Sequence, residues 1–240
     1  MIQLYQKEGS LIIYQPEDGY CYNSDTIFLY SFIKRFNIRG NVLDIGSGSG
    51  ILGLLVAKDF KISLTSVEKQ KRMAFFTKLN AKVNKINIDL KVGDFLDIDF
   101  EKKFDFLISN PPFYHENVLK SSKKEIHISR YSLHLPFEEL LKKANTILKP
   151  KGAFIFCYDA KQIQRVLSLL DRYKFILEAM QFIHPKKDKE ASLVLIYTKK
   201  SSKSLCKIFA PLIVFEDGKY SKEAQKAFQI AGVHSIKCKI

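Results

Sequence analysis

The sequence predicts an α/β fold: a seven-stranded sheet, mostly parallel with its last strand antiparallel, covered by helices on both faces. From residue 40 onward, apolar runs of strand length alternate with longer stretches of helical periodicity. The strand-length runs are rich in Val, Ile, Leu and Phe, which is typical of strands buried on both faces. The last two runs are joined by the loop "PKKDKEA", which is too short for a crossover helix, so they are expected to pair as an antiparallel hairpin.

The elements follow one another in alternation. Strands are predicted at residues 41–46, 62–68, 88–94, 104–109, 152–159, 175–183 and 192–199. Helices are predicted at residues 49–60, 69–84, 136–148 and 161–173. Pro136 fits the first turn of its helix because that position needs no backbone N–H donor. We expect these elements to form one core over residues 40–200.

Both ends of the chain are predicted to pack on this core, since no linker separates either end from it. Residues 1–39 contain a hairpin-like segment, "LIIYQPEDGYCY", followed by a helix that begins at about Ser24. Ser24 is a suitable N-cap, and Asp25 suits the positive end of the helix dipole. Residues 201–240 are predicted to form a strand, a turn at residues 217–218 and a helix.

Composition excludes several classes of protein. No apolar run approaches the roughly 20 residues of a membrane-spanning helix, and the first ten residues lack the pattern of a secretory signal. The cysteines are scattered without C-x-x-C spacing, and the histidines show no metal spacing. We therefore expect a cytoplasmic protein with no bound metal and no disulfide framework. The four cysteines are then ordinary thiols: Cys21, Cys157, Cys206 and Cys238.

Charge is the more informative part of the composition. Thirty-nine Lys and Arg residues against 25 Asp and Glu residues give a net charge of +14. Such an excess favours a polyanionic partner, because cationic side chains neutralise phosphates and release counterions. Lysine-rich surfaces also occur in organisms with AT-rich genomes without a role in nucleic-acid binding, so composition alone leaves both interpretations open.

A glycine loop follows the first strand of the predicted core. In "VLDIGSGSGILG" the strand runs into Gly46, Ser47, Gly48 and Gly50, and a helix begins immediately after them. Glycines allow the backbone to turn sharply and to approach a ligand closely at a helix N-terminus. Asp44 lies two residues before the first glycine, where its carboxylate can meet a ligand ammonium group. A dinucleotide is the alternative ligand, but the helix lacks the G-x-x-G spacing that a pyrophosphate prefers.

Two acidic residues end the next two strands. Glu68 lies about twenty residues beyond the glycine loop, where a carboxylate can accept both hydroxyls of a ribose. Asp94 can bond an adenine amino group, with Phe95 beside the ring. Each is, taken alone, also a common residue at a strand end or in a turn. Because open α/β sheets bind ligands at the carboxyl ends of their strands, we expect a nucleoside-shaped pocket at this edge.

The segment "NPPFY" ends the fourth strand at the same edge, with the amide of Asn110 and two aromatic rings. The set "VLDIGSGSG", "SVE", "VGD" and "NPPF", in this order, resembles the Rossmann-like S-adenosylmethionine-dependent methyltransferases over residues 40–200. The Asn-Pro-Pro-aromatic tetrapeptide resembles that of enzymes in this class that methylate a planar nitrogen. Adenine N6, guanine N2 and the glutamine amide of release factors are the implied acceptors.

A closer resemblance is to the bacterial tRNA (valine-1) adenine-37 N6-methyltransferase family. It covers nearly the whole chain through "QPEDGYCYNSDTIFLYSF", "SRYSLHLPFEELLKKANTILKPKG" and "APLIVFEDGKYSKE". The departures are small: Ser47 and Ser49 stand where Thr is frequent, and Lys151 stands where the turn is often Pro-Gly-Gly. The resemblance implies S-adenosylmethionine as cofactor, a tRNA as partner, and Tyr20 and Asp25 as cover for the methionine end of the cofactor.

The tetrapeptide suits an exocyclic amine, which is a weak nucleophile because its lone pair is conjugated with the ring. The side-chain carbonyl of Asn110 and the backbone carbonyl of Pro111 can each accept one N–H and so aim the lone pair at the methyl group. Pro111 and Pro112 fix the carbonyl directions, and Phe113 or Tyr114 would stack on a base removed from its strand. No strong general base is needed, so Asn110 is the leading catalytic candidate.

The polar segment 115–130 follows directly, and its Lys123, Lys124 and Arg130 are predicted to contact RNA backbone; a solvated mobile loop is the alternative. We expect a monomer that methylates N6 of an anticodon-region adenosine in a tRNA and binds no membrane. A structured RNA can be read by shape, without the sizeable recognition domain that DNA targets usually demand. Guanine N2 of ribosomal RNA, a release-factor glutamine, and a non-catalytic RNA-binding module are the alternatives.

Overall fold

The computed structural model describes residues 10–18, 21–112 and 135–239. Its α-helices are α1 (Ser24–Ile33), α2 (Ile51–Asp59), α3 (Lys71–Val83), α4 (Phe137–Ile147), α5 (Ile163–Arg172) and α6 (Lys222–Ala231). The longer strands are β1 (Leu11–Pro16), β2 (Gly40–Ile45), β3 (Ile62–Glu68), β4 (Ile88–Val92), β5 (Phe104–Ser109), β6 (Leu148–Asp159), β7 (Phe175–His184), β8 (Leu193–Lys200) and β13 (Val233–Cys238). The two-residue strands are β9 (Lys207–Ile208), β10 (Leu212–Ile213), β11 (Phe215–Glu216) and β12 (Lys219–Tyr220).

Seven strands form the body of the main sheet, in the order β7-β8-β6-β5-β2-β3-β4. All run in the same direction except β8, which lies antiparallel between β6 and β7. The predicted α/β fold with an antiparallel last strand is therefore confirmed. Two short strands, β9 and β10, extend the sheet beside β7, in the stretch before residues 217–218 where a single strand was predicted.

The sheet extends from β2 in two directions, first through β3 and β4 and then through β5 and β6. The connections β2-α2-β3-α3-β4 build one half, and β5-α4-β6 builds part of the other half. Because parallel crossovers are right-handed, this reversal of direction places α2 and α3 on one face of the sheet and α4 on the other. At the reversal, between β2 and β5, a crevice opens beyond the carboxyl ends of the strands, and open α/β sheets bind ligands there.

Strand β6 begins earlier than predicted, at Leu148 instead of residue 152, because Leu148 already pairs with Phe104 of β5. Pro150 disfavours helical backbone at the residue before it, so α4 cannot continue past this point. Lys151 then adopts a left-handed φ of 62° within the strand.

Strand β1 pairs with a distant strand, and the hairpin predicted within residues 1–39 is wrong for the described part of that range. It forms a parallel pair with β13, in which Leu11 lies opposite Val233, while residues 21–23 form no strand. The backbone of β1 is bonded along both edges by distant parts of the chain, so no local partner strand is needed.

Two asparagines bond to the second edge of β1, one in the last turns of helix α3 and one directly after that helix. The Asn84 side chain accepts from the Ile12 N–H at 2.9 Å and donates to the Ile12 carbonyl at 2.7 Å. Asn80 makes the same pair of bonds to Tyr14 at 2.8 and 2.9 Å and also donates to the carbonyl of Ser49 at 2.8 Å. The asparagines are one helical turn apart and therefore meet alternate residues of the strand. Asn80 thereby ties β1 to the glycine loop.

Replacing Asn80 with alanine is expected to lower the free energy of unfolding by about 2–4 kcal/mol. The side chain is fully buried, so its removal leaves Tyr14 and Ser49 backbone groups without their partner. Urea unfolding followed by circular dichroism measures the loss. Asn87→Ala, at an exposed position shortly after the same helix, is the matched control and is expected to change stability little.

The segment after β8 returns to the N-terminal part of the chain. Asp217 and Gly218, with φ of 49° and 75°, form the turn between β11 and β12, at the predicted position. Helix α6 then packs against α1, and β13 follows it to reach β1. Among the helices of the described ranges, none combines the length and apolar character needed to cross a bilayer.

Candidate active site

The glycine loop between β2 and α2 turns back against β3. Gly46, Gly48 and Gly50 have φ of 71°, 59° and 85°, a region in which residues with a Cβ are strained. The N–H groups of Gly46 and Ser47 donate to the carbonyl of Val67 at 3.0 and 2.9 Å. A Cβ at Gly46 would meet nothing within 4 Å, so the backbone borders open space there. The loop is thus a cradle that a ligand can approach closely.

Asp44 lies at the end of β2, beside the cradle, and is only 1% exposed. Its Oδ2 accepts a hydrogen bond from the N–H of Gly53 at 3.0 Å. A Cβ at position 53 would lie 2.8 Å from that oxygen, so only glycine permits this contact. Burial raises the pKa of Asp44 to about 7, against the Gly53 hydrogen bond and with a further contribution from the charge of Glu68. A cation bound nearby would favour the ionised carboxylate.

Glu68 ends β3 and holds the glycine loop in place. Its Oε2 accepts from the N–H of Gly48, and its Oε1 accepts from the N–H of Gln70, both at 2.8 Å. Burial raises the pKa of this carboxyl group, although the backbone hydrogen bonds oppose the shift. Each carboxylate oxygen retains acceptor capacity, so Glu68 can bind a ligand hydroxyl while it orients the loop.

Asp94 and Phe95 follow β4, and both are engaged by protein groups. Asp94 pairs with the Lys69 ammonium at 2.6 Å and accepts from the Leu96 N–H at 3.0 Å. Burial alone would raise the pKa of Asp94, but these two partners hold it below its usual value. The ring of Phe95 is buried, with the Lys143 ammonium 5.4 Å from its centre.

Asn110 follows β5, across the crevice from the glycine loop. Its Nδ2 donates to Oγ1 of Thr26 at 3.0 Å, and its Oδ1 accepts from the Cys157 thiol at 3.0 Å. Thr26 stands in the first turn of α1 and Cys157 on β6, so two further elements hold the amide. Asp25, beside Thr26, accepts from Asn23 at 2.7 Å, and burial raises the pKa of its carboxyl group.

A cavity in the crevice brings part of the predicted site together. Its walls are formed by Tyr22, Thr26, Asp44, Gly46, Ser47, Gly48, Ser49, Ile51, Leu52 and Asn110. Other predicted site residues do not contribute to these walls, namely Asp25, Gly50, Glu68, Asp94 and Phe95. Pro111 is buried and Pro112 half-buried. Six predicted site residues lie outside the described part of the chain: Tyr20, Phe113, Tyr114, Lys123, Lys124 and Arg130.

Sequence reasoning missed Thr26 and Cys157, the side chains that bond to the Asn110 amide within the described ranges. Cys157 was interpreted as an ordinary thiol. Its position near the carboxyl end of the fifth predicted strand was the available signal, because that strand ends at the same edge as the other site residues. Thr26 had a weaker signal, its place directly after Asp25.

Residues 23–182, from the start of α1 to β7, match the methyltransferase small domain family. The chain belongs to this methyltransferase family. The predicted S-adenosylmethionine-dependent methyltransferase, and with it the predicted cofactor, is therefore confirmed.

The methyltransferase is also similar to curated relatives. One from Phocaeicola vulgatus, named tRNA1(Val) (adenine(37)-N6)-methyltransferase, is 29% identical over 180 residues, covering 74% of this chain and 76% of the relative. A relative of the same name from Pedobacter heparinus is 29% identical over 170 residues, covering 70% of this chain and 72% of the relative.

Solved structures share the fold of the methyltransferase. A predicted O-methyltransferase from Agrobacterium tumefaciens aligns with a TM-score of 0.66 and 19% identity, over 89% of this chain and all of that one. A Thermus thermophilus 16S rRNA N2 G1207 methyltransferase, solved with AdoMet and guanosine, aligns with a TM-score of 0.55 and 18% identity, over 77% of this chain and 45% of that one.

The residues of the methyltransferase site fit S-adenosylmethionine. The cradle is open at Gly46, where a Cβ would find free space. The buried carboxyl of Asp44 suits the ammonium group of an amino acid, because a cation offsets the cost of ionising it there. Glu68, at the next strand end, presents a buried carboxylate of the kind that binds ribose hydroxyls.

The stability of the ligand-free methyltransferase is expected to depend on the ionisation of Asp44. The folded-state pKa of about 7 lies above the ordinary value of 3.8, so the folded state binds the proton more tightly. The resulting stabilisation is complete below about pH 4 and is lost as the pH rises through about 7. Asp44→Asn removes this contribution, so the melting temperature of the wild type should fall relative to that of the variant between pH 5 and pH 8. Parallel curves over this range would contradict the assignment.

Proposed function

We propose that the chain is a cytoplasmic enzyme that transfers a methyl group from S-adenosylmethionine to N6 of an anticodon-region adenosine in a tRNA. One observation carries the proposal: Asn110 faces the same cavity as the glycine loop, with its amide held by Thr26 and Cys157. The names of the curated relatives from two genera support adenine N6 of a tRNA as the acceptor.

In this proposal, four carboxylates and the glycine loop hold the cofactor. Asp44 meets its ammonium group, Glu68 accepts its ribose hydroxyls and Asp94 accepts its adenine amino group. Asp25 covers its methionine end from the start of α1. The loop residues approach the cofactor with their backbone: Gly46, Ser47, Gly48 and Gly50. When bound, S-adenosylmethionine supplies an electrophilic methyl group on a sulfonium.

The chain contributes orientation rather than acid–base chemistry. The Oδ1 atom of Asn110 accepts one N–H of the target amine, and the backbone carbonyl of Pro111 accepts the other. The amine lone pair then points away from both carbonyls, toward the methyl group. Positioning of this kind converts a bimolecular step into an effectively unimolecular one. As the N–C bond formed, the bond between the methyl carbon and the sulfonium sulfur would break and S-adenosylhomocysteine would leave. The methylated nitrogen would then give its proton to water, so no strong base is required.

The RNA side of the site is proposed from sequence and charge. Phe113 or Tyr114 would stack on an unpaired base, and Lys123, Lys124 and Arg130 would contact the backbone. The net charge of +14 supports a polyanionic partner. We further propose that the enzyme acts as a monomer, because a structured tRNA loop presents its base to a single pocket.

Unmodified tRNA and labelled S-adenosylmethionine test the proposal directly. After incubation with the protein, the RNA is digested to nucleosides and separated by chromatography. We expect the label in N6-methyladenosine, and in an anticodon-loop fragment after ribonuclease cleavage. Ribosomal RNA and a release factor serve as parallel substrates. Label in N2-methylguanosine or in glutamine, or label in none of them, would overturn the proposed substrate.

A further inference from the structure

We propose that Thr26 and Cys157 are positioning residues for Asn110. Together they hold its side-chain amide in the orientation that presents Oδ1 to the target amine. This inference deepens the proposed function and rests on Asn110 as the acceptor of the amine N–H. The Thr26 hydroxyl accepts a hydrogen bond from Nδ2 of Asn110 at 3.0 Å, and the Cys157 thiol donates one to Oδ1 at 3.0 Å.

The chemistry of the amide explains why such fixing matters. A side-chain amide carries a donor group and an acceptor oxygen of nearly the same size, so a half-turn about its last bond exchanges them. In the wrong orientation, Asn110 would present N–H groups to an amine that also presents N–H groups. In the observed orientation the hydroxyl of Thr26 accepts and the thiol of Cys157 donates. After a half-turn, the amide N–H would face the sulfur of Cys157, which is only a weak acceptor.

The thiol of Cys157 keeps the proton that it donates to Asn110. The residue is fully buried, and its burial, with the nearby charge of Asp25, raises the pKa of the thiol well above its ordinary value. The S–H proton therefore remains in place at neutral pH. A carbonyl oxygen has two lone pairs, so the Oδ1 atom of Asn110 can accept from the thiol and still accept from the substrate amine.

Both positioning residues sit on rigid elements. Cys157 lies inside the main sheet, on β6, and is paired with Leu195 of β8. Thr26 is buried in the first turn of α1, a helix that packs against both α2 and α6. A reacting group is held most precisely when its supporting side chains are locked by helices and strands rather than by loops. Asn110 itself follows β5 without being part of it, so it depends on this support.

Two pairs of variants test the inference by kinetics. Cys157→Ala and Thr26→Val each remove one hydrogen bond, and each is expected to lower kcat by about five- to tenfold. Cys157→Ser and Thr26→Ser restore a hydroxyl and are expected to recover most of this loss. The KM for tRNA and the Kd for S-adenosylmethionine should change little. Rates are compared at a temperature at which circular dichroism shows every variant folded. Loss of cofactor affinity in place of kcat would overturn the inference.

The dependence on Asn110 is tested by combining the variants. If Cys157 acts through Asn110, then Cys157→Ala should lower the single-turnover rate no further once Asn110→Ala is present. The same holds for Thr26→Val. A further five- to tenfold loss in the double variants would show that the two residues act independently of Asn110, contrary to the inference.

A spectroscopic measurement separates this inference from the proposed function. The S–H stretching band of Cys157 is isolated in the infrared difference between the wild type and Cys157→Ser. Asn110→Ala should shift this band to higher frequency, because the thiol loses its acceptor; an unshifted band would overturn the inference. Label in a nucleoside other than N6-methyladenosine would contradict only the proposed substrate, and the kinetic comparisons can be run on whichever amine is methylated.

Discussion

Asn110→Ala is expected to lower the rate of methyl transfer by two to three orders of magnitude, about the loss seen when a preorganised group at a reacting atom is removed. The affinity for S-adenosylmethionine should remain nearly unchanged. The reason is the division of the cavity: the cofactor cradle belongs to the loop after β2, whereas Asn110 belongs to the end of β5. Single-turnover rates and isothermal titration calorimetry measure the two quantities separately.

The control for this prediction is Asn37→Ala, which removes an exposed amide at the opposite edge of the sheet, before β2 begins. Its methyl-transfer rate and cofactor affinity should both match the wild type. Asn110→Ala also deprives Thr26 and Cys157 of their partner, so its melting temperature is measured in parallel. A folded Asn110→Ala protein with full activity would contradict the catalytic role, and a large loss of cofactor affinity would contradict the division of the cavity.

Glu68→Ala is expected to weaken S-adenosylmethionine binding by about a hundredfold. Two effects add in the same direction. The cofactor ribose loses a charged acceptor, and the Gly48 N–H loses the carboxylate oxygen that holds it at 2.8 Å, so the loop is less well ordered before binding. Equilibrium dialysis with labelled cofactor measures the change.

Asp89→Ala provides the comparison for Glu68→Ala. Asp89 is an exposed carboxylate on β4, the strand next to the one that Glu68 ends, and it contacts Thr65 rather than the glycine loop. Its removal changes the net charge by the same amount and is expected to leave the affinity within about twofold, as for a surface charge. Equal losses in both variants would mean that overall charge, rather than the loop contact, controls binding.

The fold was predictable from the sequence because local and global preferences agree in its core. The seven strands that form the body of the main sheet are short apolar runs separated by helical patterns. The loop after β2 has glycine where its backbone turns sharply, at Gly46 and Gly50. Open α/β sheets bind ligands at the carboxyl ends of their strands, and this rule led to Asp44, Glu68 and Asn110. Asp44 and Asn110 border one cavity with the glycine loop.

Contacts between distant parts of the chain were not predictable in this way. The partner of β1 is β13, and nothing in "LIIYQP" distinguishes a strand that pairs with its neighbour from one that pairs with a distant segment. The ion pair of Asp94 with Lys69 depends on how β4 lies beside β3. Thr26 and Cys157 contact Asn110 only after three separate elements have packed together. The spacing of these residues in the sequence therefore could not predict the contacts.

The pairing of β1 with β13 sets an order of events during synthesis of the chain. Gln15 and Ser235, which bond to each other across this pair, are 220 positions apart. At the usual rate of about 5–20 residues per second, β1 leaves the ribosome on the order of 10 to 40 seconds before its partner strand exists. Asn80 and Asn84 are translated earlier and can bind one edge of β1 during that time. A nascent chain that terminates before β13 therefore contains every strand around the glycine loop and Asn110, yet has an open edge on β1.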